Sequence, residues 1–226
     1  MARFEAVIFD LFGTLADNAT PEEYRGALAA VATVLDVPPE EVTRAWNDTY
    51  EARNTGAFPT TRAAMEEICE RLKIVAHEES IKAAIAARVS VMQRAMNLRP
   101  DAVETLRRLR QLGYRTGLIS NCTPEVTALW QACPLRPLID APFFSCVCGL
   151  LKPDRRIYEL ALERLRAPAG RCLYVGDGES RELTGATEAG LHAVRIRAPG
   201  DEARDPYREP WPRVITGLGE VLGLLE

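Results

Sequence analysis

The chain has 226 residues, 47% of them apolar and 27% charged, which gives room for one ordinary globular domain and a modest second one. A net charge of −4 and a sequence pI near 5.5 offer no basic footprint for nucleic acid, and arginines such as Arg107, Arg108 and Arg110 are spread along helices. No apolar run approaches the roughly 18 residues of a membrane span. Met1-Ala2-Arg3 leads into a short run broken by Glu5 and Asp10 rather than into an export signal, so a cytoplasmic protein is expected.

The first predicted element, Phe4 to Phe9, is a buried strand that ends at Asp10 and feeds a turn at Gly13 and Thr14. From about residue 20 to 98 the pattern is helical. Tyr24, Leu28, Val31, Ala32 and Leu35 share one helix face, as do Met65, Ile68, Cys69 and Leu72, and then Ile81, Ile85, Val89, Met92 and Met96. Val42, Trp46 and Tyr50 suggest another helix, set off by Pro38-Pro39, so a bundle of about four is predicted. At this spacing Met65, Met92 and Met96 read as bundle core rather than as a dimer patch.

After Pro100, helices and apolar strands alternate. A helix from Asp101 to Leu112 stops at Gly113 and is followed by the strand Thr116–Ser120 and a helix after Pro124. A strand around Phe143–Val147, a helix from Asp154, and the strand Cys172–Val175 come next. A helix from Ser180 to Ala189 and the strand Ala193–Ile196 complete the alternation. Residues 199–213 read as a Pro-rich loop, with Trp211 covering the sheet edge, and Val214–Leu225 as a closing helix. The expected fold is α/β, a doubly wound parallel sheet with an inserted helical bundle. Residues 1–16 and 99–226 would form the sheet domain and residues 17–98 the insertion.

The six cysteines, Cys69, Cys122, Cys133, Cys146, Cys148 and Cys172, read as reduced and mostly buried thiols. Cys146 and Cys148 form only a C-x-C, and with just His77 and His192 in the chain no zinc pattern emerges.

In such sheets ligands bind at the carboxyl ends of the strands. There the sequence places Asp10, Ser120 with Asn121, Lys152 and Asp177. Any one of these could be a turn or cap residue, but the topology gathers them at one edge. With Glu182 they bring three carboxylates and one lysine together, an arrangement that calls for a divalent cation. An all-oxygen donor set with room for water and phosphate suits Mg²⁺.

Phe9-Asp10-Leu11-Phe12-Gly13-Thr14-Leu15 resembles the first motif of the haloacid dehalogenase-like superfamily. Leu118-Ile119-Ser120-Asn121 resembles the second, Lys152-Pro153-Asp154 the third, and Val175 through Glu182, continuing to Gly185-Ala186 and Ala189-Gly190, the fourth. The resemblance spans nearly the whole chain. It implies a Rossmann-like core, a helical cap at residues 17–98, and Asp10 as a covalent nucleophile. It further implies that Asp10, Asp177 and the Phe12 backbone carbonyl ligate Mg²⁺. Glu182, where the family usually has Asp, would act directly or through water. Lys152 and Ser120 would spread the charge of a transferring phosphoryl group, with Thr14 and the backbone amides around Leu11 and Asn121 completing its cradle.

One position departs from the family's phosphatases. They carry a second Asp two residues after the nucleophile, as general acid and base, and this chain has Phe12. Three readings follow: a phosphatase of a readily leaving substrate or one with its acid elsewhere, a 2-haloacid dehalogenase in which Asp10 attacks carbon, or a catalytically weak protein kept for binding or regulation. Dehalogenases of the family work without metal and usually neutralise the fourth-motif acids. Retention of Asp177 and Glu182 therefore favours metal-dependent hydrolysis of a small phosphate ester over attack on a 2-haloacid. The order of elements argues against a receiver-type domain, and the absence of G-x-G-x-x-G after the first strand against a dinucleotide site. His192 lacks the nucleophile elbow that a triad hydrolase needs. In the insertion, Arg53 or Arg62, around the turn Gly56–Pro59, is expected to grip the substrate's polar tail.

Overall fold

The computed structural model describes residues 3–201 and 208–225. It opens with β1 (Ala6–Phe9), whose four side chains are all buried. Five helices follow, α1 (Pro21–Leu35), α2 (Pro39–Asp48), α3 (Tyr50–Asn54), α4 (Thr61–Arg71) and α5 (Glu78–Ala95). The short α3 is the addition to the predicted bundle. After them come α6 (Ala102–Gln111), β2 (Arg115–Ser120), α7 (Pro124–Trp130), β3 (Ala141–Phe144) and α8 (Ser145–Cys148). The chain continues through α9 (Arg155–Leu165), β4 (Cys172–Gly176), α10 (Glu182–Glu188), β5 (His192–Ile196), β6 (Val214–Ile215) and α11 (Val221–Leu224).

Local chemistry explains where these elements begin and end. Thr20 and Glu23 form a reciprocal capping box with Pro21 in the first turn of α1. Asp154 caps α9 by accepting the Arg156 N–H at 2.9 Å. Gly113, at φ 84°, supplies the left-handed residue that stops α6.

Among the described residues the strands form one parallel sheet in the order β3-β2-β1-β4-β5-β6. The chain builds outward from β1 to β3, then returns to the other side of β1 with β4. The reversal opens a crevice at the carboxyl end of β1. Register completes the placement: Phe9 lies level with Leu118 on one side and Val175 on the other, so Asp10, Ser120 and Asp177 leave the sheet side by side.

Alternate residues divide between two cores. Val7, Phe9, Leu118 and Val175 pack with Leu106, Leu109, Val126 and Trp130 on one face, and this core also takes in Val91 and Met92 of the insertion. Ala6, Ile8, Ile119 and Tyr174 pack on the other with Ile157, Tyr158, Leu183 and Ala186. The insertion has a third core of its own, in which Leu28, Val31, Trp46, Met65 and Ile68 are buried. Each such large side chain contributes about 1.5–3 kcal/mol of hydrophobic stabilisation.

Both connections to the inserted helices run side by side. The Asp17 N–H donates to the Asn97 carbonyl at 2.8 Å and the Arg99 N–H to the Leu15 carbonyl at 3.0 Å.

Two sequence expectations are corrected. The strand expected to reach Val147 ends at Phe144, where the chain turns into α8. Gly149, at φ 73°, closes that turn by donating to the Ser145 carbonyl, and Val147 is left exposed. The closing helix expected from Val214 is instead an edge strand paired with β5, followed by a short helix only at Val221. Two β-branched residues extend the ladder there, and Gly217, Gly219 and Gly223 weaken any longer helix.

Candidate active site

Asp10 follows the last residue of β1 and is 5% exposed. Its backbone N–H donates to the Val175 carbonyl at 2.9 Å, which locks the loop after β1 to β4. The loop then turns tightly, with the Leu11 carbonyl accepting the N–H groups of Leu15 and Ala16. Leu11 itself is buried in the core and Phe12 packs partly buried against the same face. Neither side chain brings polar chemistry. Gly13 has φ 78°, and a Cβ there would collide with the Asp177 carboxylate, so only glycine allows the loop to approach β4 this closely. Arg99 holds the loop from behind, donating to the Gly13 carbonyl at 2.6 Å and the Thr14 carbonyl at 3.0 Å.

Lys152 is the centre of the charged network. Its Nζ donates to Asp10 Oδ1 and to Glu182 Oε2, each at 2.5 Å, and lies 3.4 Å from the Tyr174 hydroxyl. The Tyr174 hydroxyl donates to Glu182 Oε2 at 2.7 Å, and the Gly178 N–H to Glu182 Oε1 at 3.0 Å. Both oxygens of the fully buried Glu182 are thus engaged. The longer acid fits because residue 176 is glycine: a Cβ on Gly176 would strike the Glu182 carboxylate.

Asp177 accepts the Glu179 N–H at 2.9 Å through Oδ1 and Arg208 Nε at 2.7 Å through Oδ2. Arg208 also reaches Glu179, 3.1 Å away. The sequence reading counted Lys152 as the one cation of this site, and Arg208 is a correction to that count.

Burial dominates the ionisation of all three acids. It raises Asp10 to about 6, with Lys152 opposing and Asp177 adding to the shift. Asp177 is pushed to about 7 by burial and then by Glu182, against the pull of Arg208. Glu182 is also raised to about 7, by burial despite Lys152. Burial works against the charge of Lys152 too, but Asp10 and Glu182 outweigh it and hold the ammonium above its ordinary range. Lys152 therefore stays charged, while the carboxylates remain under-neutralised near pH 7.

Carboxylate oxygens of Asp10, Asp177 and Glu182 all lie within 4.8 Å of one another. That separation and the hard oxygen donors fit a divalent cation. Among the described residues no grouping that includes Cys or His joins it as a metal candidate.

The opposite flank differs in character. Thr14 Oγ1 and Ser120 Oγ are buried without a hydrogen-bond partner. Asn121 is not free to do the same work with its side chain. It accepts the Lys152 N–H at 2.8 Å and donates to the Lys152 carbonyl at 3.2 Å, so it positions the lysine.

In the inserted helices, Arg62 is half-buried and paired with Glu78 at 2.7 Å. Arg53 is only 2% exposed and stacks on Trp46, 3.5 Å above the ring centroid. It donates to the Thr49 hydroxyl and, at 2.6 Å, to the Trp46 carbonyl. Arg88, not singled out in the sequence, forms a buried ion pair with Glu125 of α7 at 3.1 Å. Tyr174 was missed because it reads as strand core, and Arg208 because nothing distinguishes it within a charged, Pro-rich loop.

A doubly wound sheet with an aspartate after its first strand and a lysine-bridged acidic cluster defines a class of hydrolase. The family model for haloacid dehalogenase-like hydrolases matches residues 4–190, and the chain belongs to that family. It is 26% identical to a glyceraldehyde 3-phosphate phosphatase of Pyrococcus furiosus, covering all of this chain and 95% of the relative. It is 24% identical to an (S)-2-haloacid dehalogenase of Burkholderia cepacia, over 97% and 94% of the two chains. A HAD phosphatase from Thermococcus onnurineus superposes with a TM-score of 0.67 at 20% identity, over 98% of each chain. Both activities thus occur among proteins similar to this one.

Proposed function

We propose that the protein is a Mg²⁺-dependent phosphatase of a small phosphorylated metabolite, working through an aspartyl-phosphate on Asp10. The observation that carries this reading is the acidic cluster. Three buried carboxylates stand together, and their raised pKa values mark a site still short of positive charge.

Mg²⁺ held by Asp10, Asp177 and the Phe12 carbonyl, with Glu182 behind them, would neutralise charge on the phosphoryl oxygens. Asp10 Oδ1 is held by Lys152, which leaves Oδ2 to attack phosphorus in line. Lys152 steers the carboxylate and faces the transferring group, and the Thr14 and Ser120 hydroxyls donate to its oxygens together with the backbone amides around Leu11 and Asn121. Water then cleaves the acyl phosphate. With Phe12 in place of an acid, the leaving oxygen takes its proton from water or from the substrate itself, so substrates with good leaving groups are favoured.

The helices of residues 17–98 act as a cap over a core of residues 1–16 and 99–226, excluding water during reaction. Arg53, fixed on Trp46, offers its remaining N–H groups to the substrate's tail. Arg53→Ala is expected to raise KM more than it lowers kcat.

Phe12 and the fixed cation Arg208 support a second reading, 2-haloacid dehalogenation, because halide needs no proton and Arg208 lessens the need for metal. Release of phosphate from p-nitrophenyl phosphate and of chloride from 2-chloropropionate, each with Mg²⁺ and with EDTA, separates the two. Phosphate release lost in EDTA supports the phosphatase, and metal-independent chloride release overturns it.

A further inference from the structure

Cys122 follows Ser120 and Asn121 directly, in the turn between β2 and α7, and is 4% exposed. Its thiol lies 4.0 Å from that of Cys146 on α8. The two segments are already stapled together. The Cys122 N–H donates to the Ser145 hydroxyl at 2.9 Å, and that hydroxyl donates back to the Cys122 carbonyl at 3.2 Å. The Ser120 side chain neighbours the Cys122 thiol, though at a geometry that leaves its oxygen without a hydrogen bond. On the outer side, Gly56 of the inserted helices rests on Cys146: a Cβ at Gly56 would collide with the Cys146 carbonyl. Cys146 therefore touches the cap, while Cys122 touches the catalytic loop.

We propose that Cys122 and Cys146 are an oxidative modification site, closing to a reversible disulfide under a peroxide and switching the active site off. The two thiols differ in the way such a reaction needs. Cys146 is half-buried and can be reached. The contact with the Cys122 thiol holds Cys146 below the usual thiol range, whereas burial pushes the Cys122 thiol up. The Cys146 thiolate attacks the peroxide oxygen; a sulfur–oxygen bond forms, the oxygen–oxygen bond breaks, and one water leaves. The Cys122 thiol then attacks the resulting sulfenic sulfur, forming the disulfide and expelling a second water. Two thiols lose two protons and two electrons, and one hydrogen peroxide takes them up to become two waters. The sulfurs must close from 4.0 Å to about 2 Å, which draws the β2–α7 turn toward α8 and shifts Ser120 and Asn121. Displacements of about 1 Å at a catalytic group cost up to ~10²-fold in rate. Cys148 lies on the same helix, but its sulfur turns back to the Ser145 and Leu150 carbonyls, 3.9 Å from each, and serves as the control.

The test treats the full-length reduced protein with hydrogen peroxide and digests it after Glu125 and after Phe144, which places Cys122, Cys133 and Cys146 on separate peptides. The expected result is a cross-link between the Cys122 and Cys146 peptides, with a mass loss of two hydrogens. A loss of p-nitrophenyl phosphate turnover of ~10-fold or more, reversed by dithiothreitol, should accompany it. Cys146→Ser should keep its turnover in peroxide, and Cys148→Ser should behave as the parent chain. No cross-link, a cross-link that persists in Cys146→Ser, or a cross-link with turnover unchanged would overturn the proposal. An absence of turnover in the reduced protein would count against the phosphatase reading instead, and the cross-link would still decide the modification site.

Discussion

Glu182 and Ser120 flank Asp10 on opposite sides, both fully buried, in unlike surroundings. Around Glu182, on the β4 side, both carboxylate oxygens are engaged by Lys152, Tyr174 and Gly178. On the β2 side the Ser120 hydroxyl, like that of Thr14 in the nucleophile loop, has no partner. A buried charge has to be compensated within the chain if the chain is to fold, whereas a neutral hydroxyl left unpaired costs only about 1–3 kcal/mol. The β4 side thus belongs to the fold as much as to the chemistry. On the proposed function the β2-side hydroxyls would gain their partners from a bound group, and mutations on the two sides should respond differently.

The largest effect is expected at the residue both sides serve. Asp10→Asn should lower turnover by ~10³-fold or more while the protein remains folded, measured by phosphate release and circular dichroism. Glu182→Ala should act mainly on stability. It removes one partner of a buried pair, a change that costs about 3–5 kcal/mol, read in a denaturant titration. Ser120→Ala should do the reverse, lowering kcat by ~10²-fold as an oxyanion donor is lost. Its melting temperature should be unchanged or higher, because an unpaired buried hydroxyl has been removed. If Ser120→Ala instead destabilises the protein, the contrast between the two sides fails. Phe12→Asp supplies the absent acid beside Asp10 and should raise turnover of unactivated alkyl phosphates by about tenfold, below the ~10²–10⁴ of an evolved general acid.

The dependence of stability on pH tests the acidic side as a whole. Asp10, Asp177 and Glu182 titrate at about 6, 7 and 7 in the folded chain, above their ordinary values of 3.8, 3.8 and 4.5. Between those limits the folded state holds more protons than the unfolded one. Their contribution to stability is present at low pH and is lost as pH rises from about 4 to about 7. Mg²⁺ bound by these acids would take the place of those protons, so it should raise the melting temperature more at about pH 7.5 than at about pH 5. Equal shifts at both pH values would argue against metal binding by this cluster.

Much of this arrangement was legible in the sequence because it follows strand ends. Asp10, Ser120 and Asp177 each terminate an apolar run, and a parallel sheet brings such ends together whatever lies between them. Residues that act from elsewhere were not legible. Arg208 reaches Asp177 from a loop with no periodicity. Tyr174 follows strand alternation and differs from its apolar neighbours only in the hydroxyl that meets Glu182. Arg99 reads as a boundary residue, yet its guanidinium holds the Gly13 and Thr14 carbonyls. Arg53 or Arg62 was expected near the substrate from the Arg–Gly–aromatic loop around Gly56 and Phe58. The stacking of Arg53 on Trp46 depends on the turn between α2 and α3, which no pattern revealed.

On the proposed mechanism Asp10 becomes phosphorylated during turnover. Protein mixed with Mg²⁺ and excess p-nitrophenyl phosphate, quenched in acid within the first turnovers, should yield a peptide containing Asp10 that carries one added phosphoryl group. That peptide should be unmodified in EDTA and in Asp10→Asn. Steady phosphate release with the Asp10 peptide always unmodified, or with the phosphoryl group on another residue, would contradict the account.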